Sequence, residues 1–228
     1  MKGLFYNINR ENNENLKIEN LQDTLKMIEL QNIINSKELK KHFLDMFVFD
    51  AFIGNFDRNY KNWGIIFNEN SNNYRIAPIY DCASSLHTKT PRTTINKYYK
   101  EFNNNNNSLI EKIKTPTSYF TDNFGEKINY YNFLVEKEFN QDKDIAEAIL
   151  RVAPKLVEIE KNKYIEKLID SLSELMGEDR AKVLKIELEY KAQHMFKEMI
   201  RIANKVLKKE KEQTNSWIKK DIDDDWER

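Results

Sequence analysis

A chain of 228 residues holds one sizeable core, and its 37 basic against 37 acidic residues leave no net field to draw in nucleic acid or an anionic membrane. With 40% hydrophobic and 32% charged residues it is globular and rich in solvated helix surface, which excludes a disordered chain. The lone Cys82 excludes an intrachain disulfide and reads as buried and inert, and no stretch approaches the roughly 20 apolar residues of a membrane span, so a soluble, cytoplasmic, mainly α-helical single domain is expected.

Residues 1–19 are polar and Asn-rich and predict an irregular start. A short helix is predicted from Leu21 on the apolar positions Leu25, Ile28 and Leu30. The next helix is better marked. Asn35 is placed to cap it, Glu38 stands three residues on, and Ile34 with Leu39 can form a hydrophobic staple. Its body, from Leu39 through Phe43, Phe47 and Phe52 to Ile53, is apolar over most of its circumference and predicts a central buried helix that Gly54 and Asn55 end. Trp63–Phe67 and Tyr74–Tyr80 are aromatic and β-branched runs that predict a small hairpin, with Pro78 stopping the pairing of its second strand.

From Cys82 to about Asp122 the pattern predicts loops, with one short helix around Ser108 to Lys114 and a flexible loop at the Asn103 to Asn107 run. Helix returns from about Tyr130. Ile165, Leu168, Ile169, Leu172, Leu175 and Met176 form one apolar face that Gly177 ends. A last long helix carries Met195, Phe196, Met199, Ile200, Ala203, Val206 and Leu207, and residues 211–228 read as a loose acidic tail.

The chemistry concentrates between Phe49 and Asp81. Asp57 stands five residues before Asn62, and the predicted hairpin delivers the chain to Asp81. An Asp-x-x-x-x-Asn loop offers a carboxylate to an incoming hydroxyl and an amide oxygen to a hard cation, and a second Asp beyond a hairpin adds the charge that holds metal between phosphates. Alone the loop is also an ordinary helix end and turn; buried helix, loop, hairpin and Asp81 together make the pattern specific. Arg58 and Lys61 flank the loop and are placed to offset phosphate charge, although solvated surface is the simpler reading of both. His42, His87 and His194 lack metal-ligand spacing, and Ser84 and Ser85 lack a nucleophile elbow.

The runs DAFIGNFDRNYKNWG and YRIAPIYDCASSL resemble the C-terminal lobe of HipA-like serine/threonine kinases, including the CtkA-like branch, and the similarity extends over about residues 20–210. The resemblance implies a helical kinase-like C-lobe with a small β-hairpin next to the catalytic loop. It further implies Asp57 as catalytic residue, Asn62 and Asp81 as magnesium ligands, and Asn59, Lys61, Asn62 and Asp81 as the set facing ATP and Mg2+. Two positions depart from the family pattern: Asn59 stands where His is usual, and Ala83 where the CtkA-like branch often has Gly.

Before Asp57 the sequence has only Gly3 and Gly54 and no strand-borne Lys, so a nucleotide-covering N-lobe is not expected in this chain. Three readings stay open. The chain is a catalytic half completed by a complementing N-lobe chain and acting on a protein substrate, a truncated non-catalytic relic, or a partner-binding module of a toxin-antitoxin type system. Membrane association and nucleic acid are not indicated.

Overall fold

A computed structural model describes residues 1–103 and 108–226; the predicted loop at 104–107 lies outside them. The chain opens with α1 (Lys2–Asn12), α2 (Leu21–Leu30) and α3 (Ser36–Ile53), followed by the hairpin β1 (Ile65–Asn68) and β2 (Asn73–Ile76). Next come α4 (Arg92–Asn103), α5 (Ser108–Ile113), and a second hairpin of β3 (Thr117–Thr121) and β4 (Lys127–Asn129). The rest is helical: α6 (Lys143–Lys161), α7 (Tyr164–Ser171), α8 (Ser173–Met176), α9 (Glu178–Tyr190) and α10 (Lys197–Trp226). A π-helical turn, Lys191–Phe196, joins α9 to α10.

α3 is the axis of the core. Asn35 accepts a hydrogen bond from the Glu38 amide at 3.1 Å, satisfying one of the first-turn donors that a helix leaves unpaired. Phe43 meets Trp63 with ring centroids 4.7 Å apart and Phe120 at 5.3 Å, and Phe47 meets Tyr130 at 5.4 Å, so both hairpin regions are pinned to one helix. On its other side α3 packs on α6, which in turn packs along α10. A smaller cluster of Ile95, Leu109, Ile113 and Val183 joins α4, α5 and α9. β1 pairs antiparallel with β2 in the register Ile65 to Ile76 and Phe67 to Tyr74, and β2 ends before Pro78, as its missing donor requires.

Several expectations need correction. The irregular start is helix α1, because Leu4 and Ile8 share a face and Ile8 is buried in the core; Asn13 ends it in the left-handed region that Asn tolerates. The region taken for loops contains α4, whose Ile95, Tyr98, Tyr99 and Phe102 carry a helical period, and the short second hairpin. The acidic tail is helical as far as Trp226, since neither Gly nor Pro interrupts the sequence from Lys197 onward. The apolar face of 165–176 is divided: Ile169 is buried, whereas Leu168 and Leu175 are exposed.

Candidate active site

The end of α3 sets the geometry. Gly54 adopts φ +66°, and the amides of Gly54 and Asn55 both donate to the Asp50 carbonyl, Asn55 at 2.9 Å. A Cβ at position 54 would in addition lie 3.3 Å from Lys191 Nζ. Asn55 is fully buried. Its side chain donates to Asp50 Oδ1 at 3.1 Å and accepts from the Asp57 amide at 3.2 Å, while its carbonyl accepts from Tyr130 Oη at 2.8 Å. Asp57 therefore leaves the helix in a fixed direction.

The residue that organises the site is Arg58. Surface was expected for it, but it is 1% exposed and forms a two-pronged ion pair with Asp50, Nε to Oδ2 and Nη2 to Oδ1 both at 2.8 Å. Its Nη1 donates to the Asn62 carbonyl at 2.7 Å and to the Tyr80 carbonyl, and Nη2 lies 3.4 Å from Cys82 Sγ. One guanidinium thus ties the end of α3, the Asp57–Asn62 loop and the segment carrying Asp81. Burial works against its charge, but Asp50 outweighs burial and raises the Arg58 pKa above its ordinary value. Burial pushes the Asp50 carboxyl up, with Arg58 and Asn55 pulling it back. Cys82, expected to be buried, is half-buried and borders this cluster.

Within the loop, Asn62 is buried and its Nδ2 donates to the Asp57 carbonyl at 2.7 Å, which leaves Oδ1 as its acceptor. Asn59 donates through Nδ2 to Asp57 Oδ1 at 2.8 Å, and its own Oδ1 accepts from the Lys61 amide at 2.9 Å. Its observed partner is therefore the half-buried Asp57 carboxylate. Lys61 is exposed, with Nζ 5.8 Å from the Tyr60 ring, and Tyr80 Oη donates to its carbonyl at 2.7 Å. Asp81 is exposed, has φ +53°, and among the described residues its carboxylate meets no hydrogen-bond or ion-pair partner.

The donor chemistry of these groups suits a magnesium ion. They are oxygen donors, and each expected metal ligand has an uncommitted one: Asn62 keeps Oδ1 free by spending Nδ2 on the backbone, and Asp81 keeps its whole carboxylate free. No cluster of three His, Cys, Asp or Glu side chains suited to a metal occurs among the described residues, so the donor set is mixed carboxylate and amide. An open cleft of about 630 Å3 borders the loop, lined by Tyr60, Lys61, Trp63, Ile65, Ala77 and Tyr80. Another cleft, of about 680 Å3, lies among ion-paired residues of α3 and α6 such as Lys40 and Arg151 and shares none with the loop.

The sequence reading missed a second buried network. Lys191, 1% exposed, donates to the Phe52 carbonyl at 3.0 Å and pairs with Glu187 at 2.6 Å, while His87 Nε2 lies 2.8 Å from the other Glu187 oxygen. It connects the π-helical turn to the end of α3 and to the segment after Asp81. A signal for the first network was legible: a carboxylate at Asp50 amid Phe47, Val48, Ala51 and Phe52 demands a buried cation. The second offers only an i, i+4 Glu-Lys pair, which elsewhere is an ordinary surface feature.

Comparison with known proteins adds the decisive observation: the profile of the HipA-like C-terminal domain matches residues 5–159. The chain belongs to this family. The Helicobacter pylori strain J99 serine/threonine-protein kinase CtkA is 39% identical over 155 residues, 68% of this chain and 45% of that protein. The crystal structure of a Helicobacter pylori proinflammatory kinase CtkA superposes with a TM-score of 0.72 and 34% identity, covering 83% of this chain and 65% of that one. The HipA-like domain here thus has the fold of a helical kinase C-lobe, and the chain spans about 45% of the length of its curated relative. None of its helices, among the described residues, is long and apolar enough to cross a membrane.

Proposed function

We propose that this chain forms the metal-binding and acceptor-orienting half of a serine/threonine protein kinase, and that transfer of the ATP γ-phosphate requires a nucleotide-covering lobe supplied to it. The observation that carries this reading is Arg58, which binds the backbone on both sides of the proposed site and so fixes the Asp57–Asn62 loop against the Asp81 segment.

Asp57, oriented by Asn59, would hydrogen-bond the acceptor hydroxyl and take its proton. Asn62 and Asp81 would hold magnesium, which supplies charge neutralisation along the phosphates when bound. Lys61 at the mouth of the adjoining cleft is free to offset further phosphate charge, and Trp63, Ile65 and Ala77 offer an apolar floor beside it. The described sheets are two separate two-stranded hairpins, with no larger sheet to roof a nucleotide.

The test is complementation: a relative's nucleotide-covering lobe is mixed with this chain, and magnesium-dependent phosphoryl transfer from labelled ATP to protein serine or threonine is followed. Transfer that disappears with Asp57→Asn is the expected result. No transfer, together with no magnesium-dependent nucleotide binding by the mixture, overturns the reading in favour of a non-catalytic relic or partner-binding module.

A further inference from the structure

A second, smaller cleft of about 300 Å3 opens on the other flank of the catalytic loop. Its walls are Phe56, adjacent to Asp57, with Leu86 and Lys89 from the segment after Asp81, and Lys112 and Pro116 from the region of α5 and β3. Glu187 lines it and is 2% exposed. That carboxylate pairs with Lys191 and lies 2.8 Å from His87 Nε2, and its Oε2 receives no well-directed hydrogen bond.

The rim is charged differently. Lys89 donates to Ser84 Oγ at 2.8 Å and lies 5.3 Å from the Phe56 ring centroid, and among the described residues neither Lys89 nor Lys112 meets a carboxylate. Of the nearby cations, Lys191 is paired with Glu187 and Arg180 is committed to the carbonyls of His87 and Thr90. The cleft therefore carries uncompensated positive charge at its mouth over walls that are partly apolar.

We infer that this cleft seats the polypeptide that brings the acceptor hydroxyl, and that Lys89 and Lys112 select an acidic residue close to that hydroxyl. The inference rests on the kinase reading above and names the substrate class for it. Phe56 places the cleft one residue from Asp57, and an extended peptide advances about 3.3 Å per residue, so the selected acid is placed within a few residues of the acceptor. A cleft of this size takes one or two side chains rather than a helix or a folded surface.

Fluorescence anisotropy of the full chain, without nucleotide, separates the possibilities. Four labelled 12-residue peptides are compared, each with one central serine: acids two to four residues away, the same acids moved to the ends, glutamines in their place, and lysines in their place. The first is expected to bind at least tenfold tighter than the other three, and K89E/K112E is expected to reverse the order in favour of the lysine peptide. Equal binding by the two acidic peptides would show bulk charge attraction and overturn the inference, as would no binding by any peptide or an order unchanged in K89E/K112E. Complemented phosphoryl transfer to a generic protein substrate is read in parallel. Transfer without acidic preference sinks the cleft assignment alone, and acidic preference without transfer sinks the kinase reading alone.

Discussion

Replacing Arg58 by Met removes the cation from a carboxylate that is itself 1% exposed, and it also frees the carbonyls of Asn62 and Tyr80. Breaking one side of a buried ion pair costs about 3 to 5 kcal/mol, because the remaining charge has neither a partner nor water. Asp50→Asn strands the guanidinium in the same way and is expected to fall in the same range. In the double variant no buried charge is left unpaired, so its loss should fall short of the sum of the singles by about 2 to 3 kcal/mol, at the upper end of measured couplings. Urea unfolding followed by far-UV circular dichroism, with unchanged slopes across the four proteins, reads these values directly. The double variant should still fail to bind magnesium, because the two carbonyl contacts are gone even where stability returns. Additive single effects, or a loss below about 1 kcal/mol for R58M, would refute the view that this pair is desolvated and organises the site.

Asp81→Asn is expected to abolish magnesium-dependent nucleotide binding in the complemented protein while changing unfolding free energy by less than about 0.5 kcal/mol, since the exposed carboxylate has no partner among the described residues; calorimetry and urea unfolding check the two halves. Burial opposes the charged form of Glu187, but Lys191 and His87 outweigh it and hold its pKa at about 2, below the ordinary 4.5. Because the folded value is the lower one, this carboxylate's stabilisation is present above about pH 4.5 and fades as pH falls towards 2; the shift corresponds to about 3 kcal/mol. E187Q should therefore flatten stability between those pH values in acid titrations. Gly54→Ala, at φ +66° and facing Lys191 Nζ, should cost about 1 to 2 kcal/mol by thermal or urea unfolding.

The parts of the fold that could be read from sequence are those whose local signals agree with their tertiary role. α3 announces itself by a cap, a continuous apolar body and a glycine stop, and the hairpin before Asp81 by aromatic runs closed by Pro78. α1 was hidden because its Asn-rich composition argues against helix, and only the burial of Ile8 and its neighbours in the core reverses that preference. The second hairpin was hidden by its brevity: β4 has three residues, too few for an alternation to register. At the site, Asp57, Asn62 and Asp81 were legible as types at a spacing, whereas the role of Arg58 was not. Flanking arginines are solvated in most proteins, and only the fold brings Tyr80 and Cys82 within its reach.

Arg58 meets Asn62 and Tyr80 through main-chain oxygens, which every amino acid supplies, but it meets Asp50 through a side chain. The two ends of this tie therefore have different freedom to change over descent. Substitutions at position 80 leave this contact intact whatever their chemistry, while any step at position 50 or 58 taken singly passes through a protein with a stranded interior charge. Lineages carrying this lobe should then exchange 50 and 58 together or not at all, even where the proposed metal residues beside them have been replaced.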